Sequence, residues 1–160
     1  MKRSARSTRF PVALHIMCML THVETLADHV YVSSGRMAVS TQKNEATIRQ
    51  IIGMLTKKGL VNSSPGSKGG ARLAKAAQRI TLLDIYRAVE HQKIFGIHSG
   101  KDNCLIANYV EGYLENLFRV AEEQIELKLD GIRLSDLGDD IYAQAVAENW
   151  IPPLFNVNEI

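Results

Sequence analysis

Cysteine is scarce in this chain of 160 residues. Cys18 and Cys104 are too few for a disulfide scaffold and suit a reducing, cytoplasmic compartment. Long apolar runs are also missing, and none approaches the roughly 18 residues that a membrane crossing requires. The basic opening Met1-Lys2-Arg3-Ser4-Ala5-Arg6 leads to Phe10–Leu20, but His15 interrupts that run and no small-residue cleavage site follows. A signal peptide is therefore not expected. Catalytic signatures are lacking as well. There is no Gly-x-Ser-x-Gly, no His-Glu-x-x-His and no dinucleotide fingerprint, and Gly66-Ser67-Lys68 lacks the frame of a Walker loop. No catalytic residue, metal or cofactor is expected, and the chain does not read as an enzyme.

Acidic residues are scarce in one half only. Residues 1–80 hold 13 Lys/Arg against 3 Asp/Glu, whereas residues 81–160 hold 6 against 14, so the net charge of +2 conceals a strongly basic half and an acidic one. Such a split places one half near a polyanion and keeps the other away from it. Nucleic acid is the first candidate, ahead of an anionic membrane or an acidic protein. With 46% hydrophobic and 22% charged residues, the chain can also build an ordinary core.

Apolar spacing predicts the elements. Phe10, Ala13, Leu14, Met17 and Leu20 recur at helical intervals behind Pro11, giving a first helix over about 10–23. Ser33 or Ser34 can cap a short second helix ending near Val39, followed by a turn over 40–44. Asn44 then caps a third helix over 45–58, whose inner stripe is Ile48, Ile51, Ile52 and Leu55. Two short strands, 60–64 and 71–74, flank the Gly-rich tip 65–70. Thr81 caps a helix over 82–90, and a loop over 91–103 leads to a long helix over about 106–129. On that helix Val110, Leu114, Leu117, Ala121 and Ile125 form a stripe that its own fold cannot cover, so a second copy of the chain should cover it. The stretch 138–160 has weak periodicity and reads as a tail, with Trp150–Phe155 as a strap. The fold class is mostly α with a small β-hairpin wing. The expected units are a winged helix-turn-helix over 1–80, a linker helix, loop and dimerisation helix over 81–137, and a tail over 138–160.

The third helix carries the recognition chemistry. Its outer face reads Ala46, Arg49, Gln50, Gly53 and Lys57. The major groove admits an α-helix, and Arg and Gln can each pair a base edge through two hydrogen bonds. At the hairpin, Gly69 and its neighbours offer backbone N–H groups to phosphate, Lys68 supplies charge, and Arg72 follows in the returning strand. Lys2, Arg3 and Arg6 form an arm of the kind that enters a minor groove. Among the thiols, Cys18 lies beside the first-helix stripe and reads as structural, although His15 stands three residues before it. Cys104, at the start of the long helix and six residues after His98, is the candidate sensor, because a helix N-terminus favours a thiolate. His22 and His29 show no partner pattern.

The run Ala46-Thr47-Ile48-Arg49-Gln50 through Gly59-Leu60-Val61 resembles the recognition-helix signature of the Rrf-two (Rrf2) family of bacterial winged-helix regulators. Gly69–Ala74 in the wing and Ile80–Glu90 after it extend the likeness, and Ile94–His98, Asn103-Cys104 and Leu134–Leu137 resemble a subgroup without cluster cysteines. The resemblance spans about residues 8–137. It implies a cytoplasmic homodimer on double-stranded DNA, with Asn44, Ala46, Thr47 and Arg49 at the groove-facing start of the helix and Gly66–Gly70 as the wing. Pro65 and Ala71 stand where many members have an arginine and an aromatic residue, with Lys68 or Arg72 as substitutes. Cluster-binding members carry three cysteines in the loop before the dimer helix, where this chain offers Gln92, His98 and Cys104. The reading is a DNA-binding transcriptional regulator of the repressor type on a palindromic operator, under a small-molecule or redox effector. The alternatives are a protein-interaction module of the same fold, binding through residues 91–104, and a metal or iron–sulfur sensing regulator.

Overall fold

The computed structural model describes residues 7–26, 30–66, 69–91, 94–96 and 104–150. Helix α1, Arg9–Leu26, is the centre of the core. Ala13, Met17 and Leu20 are buried as their spacing predicts, while Phe10 and Leu14 sit half-buried at the edge. Val12, Ile16, Met19 and Val23 complete a face wider than the expected stripe, because α1 is packed from several sides by the elements described below. The helix also runs three residues past the expected end, with the Thr25 hydroxyl donating back to the His22 carbonyl at 2.6 Å.

Helix α2 is Ser34–Thr41 and α3 is Glu45–Lys57. Ser33 is the cap of α2, its hydroxyl accepting from the Arg36 N–H at 3.3 Å. The helix continues through Ser40 and Thr41, which the sequence assigns to the turn. Gln42, in the left-handed region at φ 54°, ends it instead and turns its N–H back to the Ala38 and Val39 carbonyls. Asn44 Oδ1 accepts from the Thr47 N–H at 2.8 Å, and Ile48, Ile51, Ile52 and Leu55 are all buried, as the spacing requires. Each such aliphatic side chain contributes about 1.5–3 kcal/mol on burial. That sum fixes the rotation of α3 and therefore which of its residues face outward.

Strands β1, Val61–Ser64, and β2, Gly70–Leu73, form an antiparallel hairpin with Val61 opposite Leu73 and Ser64 opposite Gly70. On the far side of β2, Val32 and Ala71 exchange two backbone hydrogen bonds at 2.9 Å, tying the hairpin to the segment before α2. The approach is close: a Cβ on Gly70 would stand 2.2 Å from the Val32 carbonyl oxygen.

Helix α4, Leu82–Val89, starts in a capping box in which Thr81 and Asp84 satisfy each other's backbone N–H groups. Helix α5, Leu105–Asp130, has 26 residues and is about 39 Å long. It is tied to what precedes it by an Arg87–Glu126 ion pair at 2.5 Å, by the Ile94 N–H on Glu122 at 2.8 Å, and by stacking of Phe95 on Phe118. After α5 the chain returns to the core. Leu82 N–H bonds the Ile132 carbonyl at 3.0 Å, Leu134 N–H bonds that of Ile80 at 2.9 Å, and Leu134 is fully buried.

Two sequence expectations change here. Residues 134–147 are a helix, α6 (Leu134–Ala147), which crosses position 138 without a break. Gly138-Asp139-Asp140 is unfavourable to helix locally, but Leu134 and Leu137 anchor the helix on the core, and Tyr142 packs on α1. His22 does have a partner: its ring lies 5.3 Å from that of Tyr142, and burial lowers its pKa. Residues 151–155 of the expected strap lie outside the described residues. Among the described residues, no helix is long and apolar enough to cross a membrane.

Candidate nucleic-acid interface

The rotation set by the buried stripe turns Ala46, Arg49, Gln50, Gly53 and Lys57 to the surface, all of them exposed. Thr47 is half-buried, and Asn44 is exposed with its side-chain oxygen engaged in the cap. In front of this face lies an open cleft of about 630 Å³. It is bounded by the start of α2 (Ser33, Ser34, Gly35), by Glu45, Arg49, Ile52 and Gly53 of α3, and by the hairpin residues Ser63–Gly66, Gly69 and Gly70. Most of the residues that wall it are glycine and serine, so a bulky polyanionic partner could bring its backbone close to them.

Gly69 has a packing reason of its own, since a Cβ there would lie 2.2 Å from the Ser64 carbonyl oxygen. Lys68, His98 and the arm residues Lys2, Arg3 and Arg6 lie outside the described residues. Arg72 does not join Arg49. Strand alternation points Ala71 and Leu73 into the core, so Arg72 lies on the outer face opposite Asn62. There it lines a second cleft of about 320 Å³, with Thr21, Glu24 and Lys75, and its guanidinium lies 5.3 Å from the Tyr31 ring centroid. It therefore lies at a different cleft from the one beside α3.

Glu45 is a residue that the reading of the outer face overlooks. Its carboxylate pairs with the Arg49 guanidinium one turn along α3 and accepts from the Ser34 hydroxyl at 3.3 Å. The i, i+4 spacing of Glu before Arg is the signal that could have found it. As an exposed pair it contributes only about 0.3–0.5 kcal/mol to stability, far less than the buried stripe.

The long helix divides differently from its expected stripe. Val110, Leu114 and Ala121 are half-buried, while Leu117 and Ile125 are exposed. The open apolar row is Ile106, Tyr109, Tyr113, Leu117, Val120 and Leu127, with the two tyrosines 72% and 71% exposed. At about 100° per residue this row lies roughly a quarter-turn from the expected one and shares Leu117 with it. The reason is tertiary. Phe118, Glu122 and Glu126 face α4 and the 94–96 segment, which turns the helix away from the orientation that spacing alone suggests.

The two thiols are unequal. Cys18 is half-buried beside the core, and burial pushes its thiol up to about 11. Cys104 is exposed at the N-cap of α5, where its side chain makes no capping hydrogen bond. A thiolate is the reacting form, so Cys18 stays protonated near pH 8 and gains reactivity only as the pH climbs towards its raised value. A chromogenic disulfide reagent at pH 8 should therefore show one fast thiol, which Cys104→Ser removes. A fast phase that survives Cys104→Ser would contradict this assignment.

Comparison with known proteins agrees with this geometry. The family model for Rrf2, described as iron-dependent transcriptional regulator, matches residues 6–140. The HTH-type regulator YwnA of Bacillus subtilis is 26% identical over 138 residues, covering 85% of this chain and 98% of its own. A transcriptional-regulator structure from Lactobacillus plantarum aligns with TM-score 0.72 and 26% identity, over 89% of this chain and 95% of that one. IscR of T. potens aligns with TM-score 0.63 and 26% identity, over 84% and 86%. The donor set here does not fit an iron–sulfur cluster, which takes about four ligands of cysteine or comparable type. The sequence holds two cysteines, one of them half-buried beside the core, and among the described residues no three of His, Cys, Asp and Glu are grouped to hold a metal ion. With the family model matching most of its length, the chain belongs to the Rrf2 family of transcriptional regulators.

Proposed function

We propose that this protein is a cytoplasmic, homodimeric repressor that binds double-stranded DNA at a palindromic operator. In this reading α3 enters the major groove, the hairpin lies on the flanking backbone, and residues 1–80 act as the DNA-binding unit. Residues 81–137 join two copies, so that each α3 meets one half-site. The observation that carries the reading is the division of α3. Its apolar face is sealed in the core, while its opposite face is exposed, with Gln50 on the surface and Arg49 at a cleft walled largely by glycine and serine. The basic balance of residues 1–80 supports a polyanionic partner, and family membership supports DNA. Repression follows most simply, because a dimer covering its operator excludes other proteins by occupancy.

Selection from a pool of random duplexes tests the proposal. One sequence with two related half-sites should be enriched. Arg49→Ala should flatten the preference at one position per half-site by roughly 1–3 kcal/mol, whereas Lys57→Ala should weaken all sequences alike and reduce the salt slope by about two, one for each protomer. A selection that enriches nothing, or a preference indifferent to Arg49→Ala, would overturn it.

A further inference from the structure

Among the described residues, the cleft beside α3 is lined by one acidic side chain, and that carboxylate is held from two sides. Glu45 Oε2 accepts from the Arg49 guanidinium and from the Ser34 hydroxyl, the latter at 3.3 Å. Gly35 leaves it room, since a Cβ there would already lie 3.3 Å from Glu45 Oε1. Glu45 is the first residue of α3 and Ser34 the first of α2, so the carboxylate sits where two helices begin. Unpaired backbone N–H groups at such ends favour an anion. They favour DNA phosphates for the same reason, and a carboxylate already in place repels those phosphates.

The pair contributes too little to stability to explain its arrangement. Its effect on Arg49 is larger. The side chain of Arg49 is 66% exposed. Unrestrained, such an arginine can swing to any phosphate in reach and strengthen binding to every sequence alike. Held by a carboxylate, its planar fork is aimed, and it can meet the edge of a guanine with two hydrogen bonds in one direction. Discrimination grows as much from weakening the wrong complexes as from strengthening the right one.

We propose that Glu45 is a positioning and specificity-determining residue of the DNA-reading face. It holds Arg49 in one orientation and keeps phosphate away from the mouth between α2 and α3. It lowers affinity for DNA in general and widens the gap between the operator and other sequences. The inference rests on the DNA-binding reading of α3 given above.

The test compares wild type, Glu45→Gln, Arg49→Ala and the double variant by fluorescence anisotropy over a salt series. The probes are a duplex selected by the wild type and a scrambled duplex of the same composition. Glu45→Gln should bind the scrambled duplex about 3- to 10-fold tighter, with a salt slope steeper by about two, one for each protomer. Its preference for the selected duplex should fall by about 10-fold. With Arg49→Ala already present, Glu45→Gln should change that preference by less than about 2-fold, because it acts through the missing guanidinium. A structural role alone would not depend on Arg49. Circular dichroism checks folding, and should Glu45→Gln fail to fold, Ser34→Ala removes one of the two holds and is read in the same way. Unchanged preference and slope in a folded variant, or an equal effect with and without Arg49, would overturn the proposal. A wild type with no salt-dependent duplex binding overturns the DNA reading as well, and that result is seen before any variant is compared.

Discussion

Leu117→Asp should convert the protein from a dimer into a folded monomer and lower affinity for a two-half-site duplex by about 10²- to 10⁴-fold, the advantage of linked binding modules. Leu117 belongs both to the stripe expected from spacing and to the open apolar row of α5. In a two-fold dimer built on that row, position 117 meets its symmetry mate or a near neighbour. A carboxylate there would be buried without a partner, which is far costlier than exposing it in a monomer. Within one protomer Leu117 is 49% exposed, so the substitution leaves the fold itself intact. Light scattering at micromolar concentration reads the assembly, and anisotropy reads the affinity. A variant that remains dimeric would place the interface elsewhere, with the exposed residues of α6, Ile141 and Val146, as the next surface to test.

Gly70→Ala should destabilise the protein by about 3 kcal/mol, the scale of two lost backbone hydrogen bonds and the packing around them. The added carbon would lie 2.2 Å from the Val32 carbonyl oxygen, and that atom is backbone, which cannot rotate away. Relief requires β2 to withdraw from Val32, breaking the two hydrogen bonds between Val32 and Ala71. Each contributes about 0.5–1.5 kcal/mol net, and Val32 and Ala71, both fully buried, lose packing in addition. Gly53→Ala is the control. A Cβ at Gly53 meets nothing within 4 Å. The position is inside α3, where alanine is favoured over glycine by about 0.8–1 kcal/mol. Urea unfolding should show opposite signs for the two substitutions, and equal midpoints would refute the packing argument.

These cases show where sequence suffices. Helix α3 was legible because four aliphatics at helical spacing, an Asn cap and a terminal Gly agree with one another. The hairpin was legible for a similar reason, with glycines where the backbone comes close. The face of Arg72 is legible in its neighbours, because alternation with the apolar Ala71 and Leu73 turns it outward. Helix α6 was not legible. Gly138-Asp139-Asp140 argues against a helix locally, and what stabilises it is contact with α1, more than a hundred residues earlier in the chain. The orientation of α5 was hidden for the same reason. Its apolar residues occupy more than one face, and only contacts with Arg87, Ile94 and Phe95 decide which face is left open.

The central claim is that the outer face of α3 binds duplex DNA through a basic surface, and the salt dependence of wild-type affinity tests it most directly. Each phosphate neutralised by Lys or Arg releases counterion, so the logarithm of the binding constant should fall linearly with the logarithm of salt concentration, by about 0.9 per phosphate. With Lys57 and Lys58 repeated in two protomers, a slope of roughly −4 is expected if each makes one phosphate contact. A flat line between 50 mM and 200 mM salt would contradict the account.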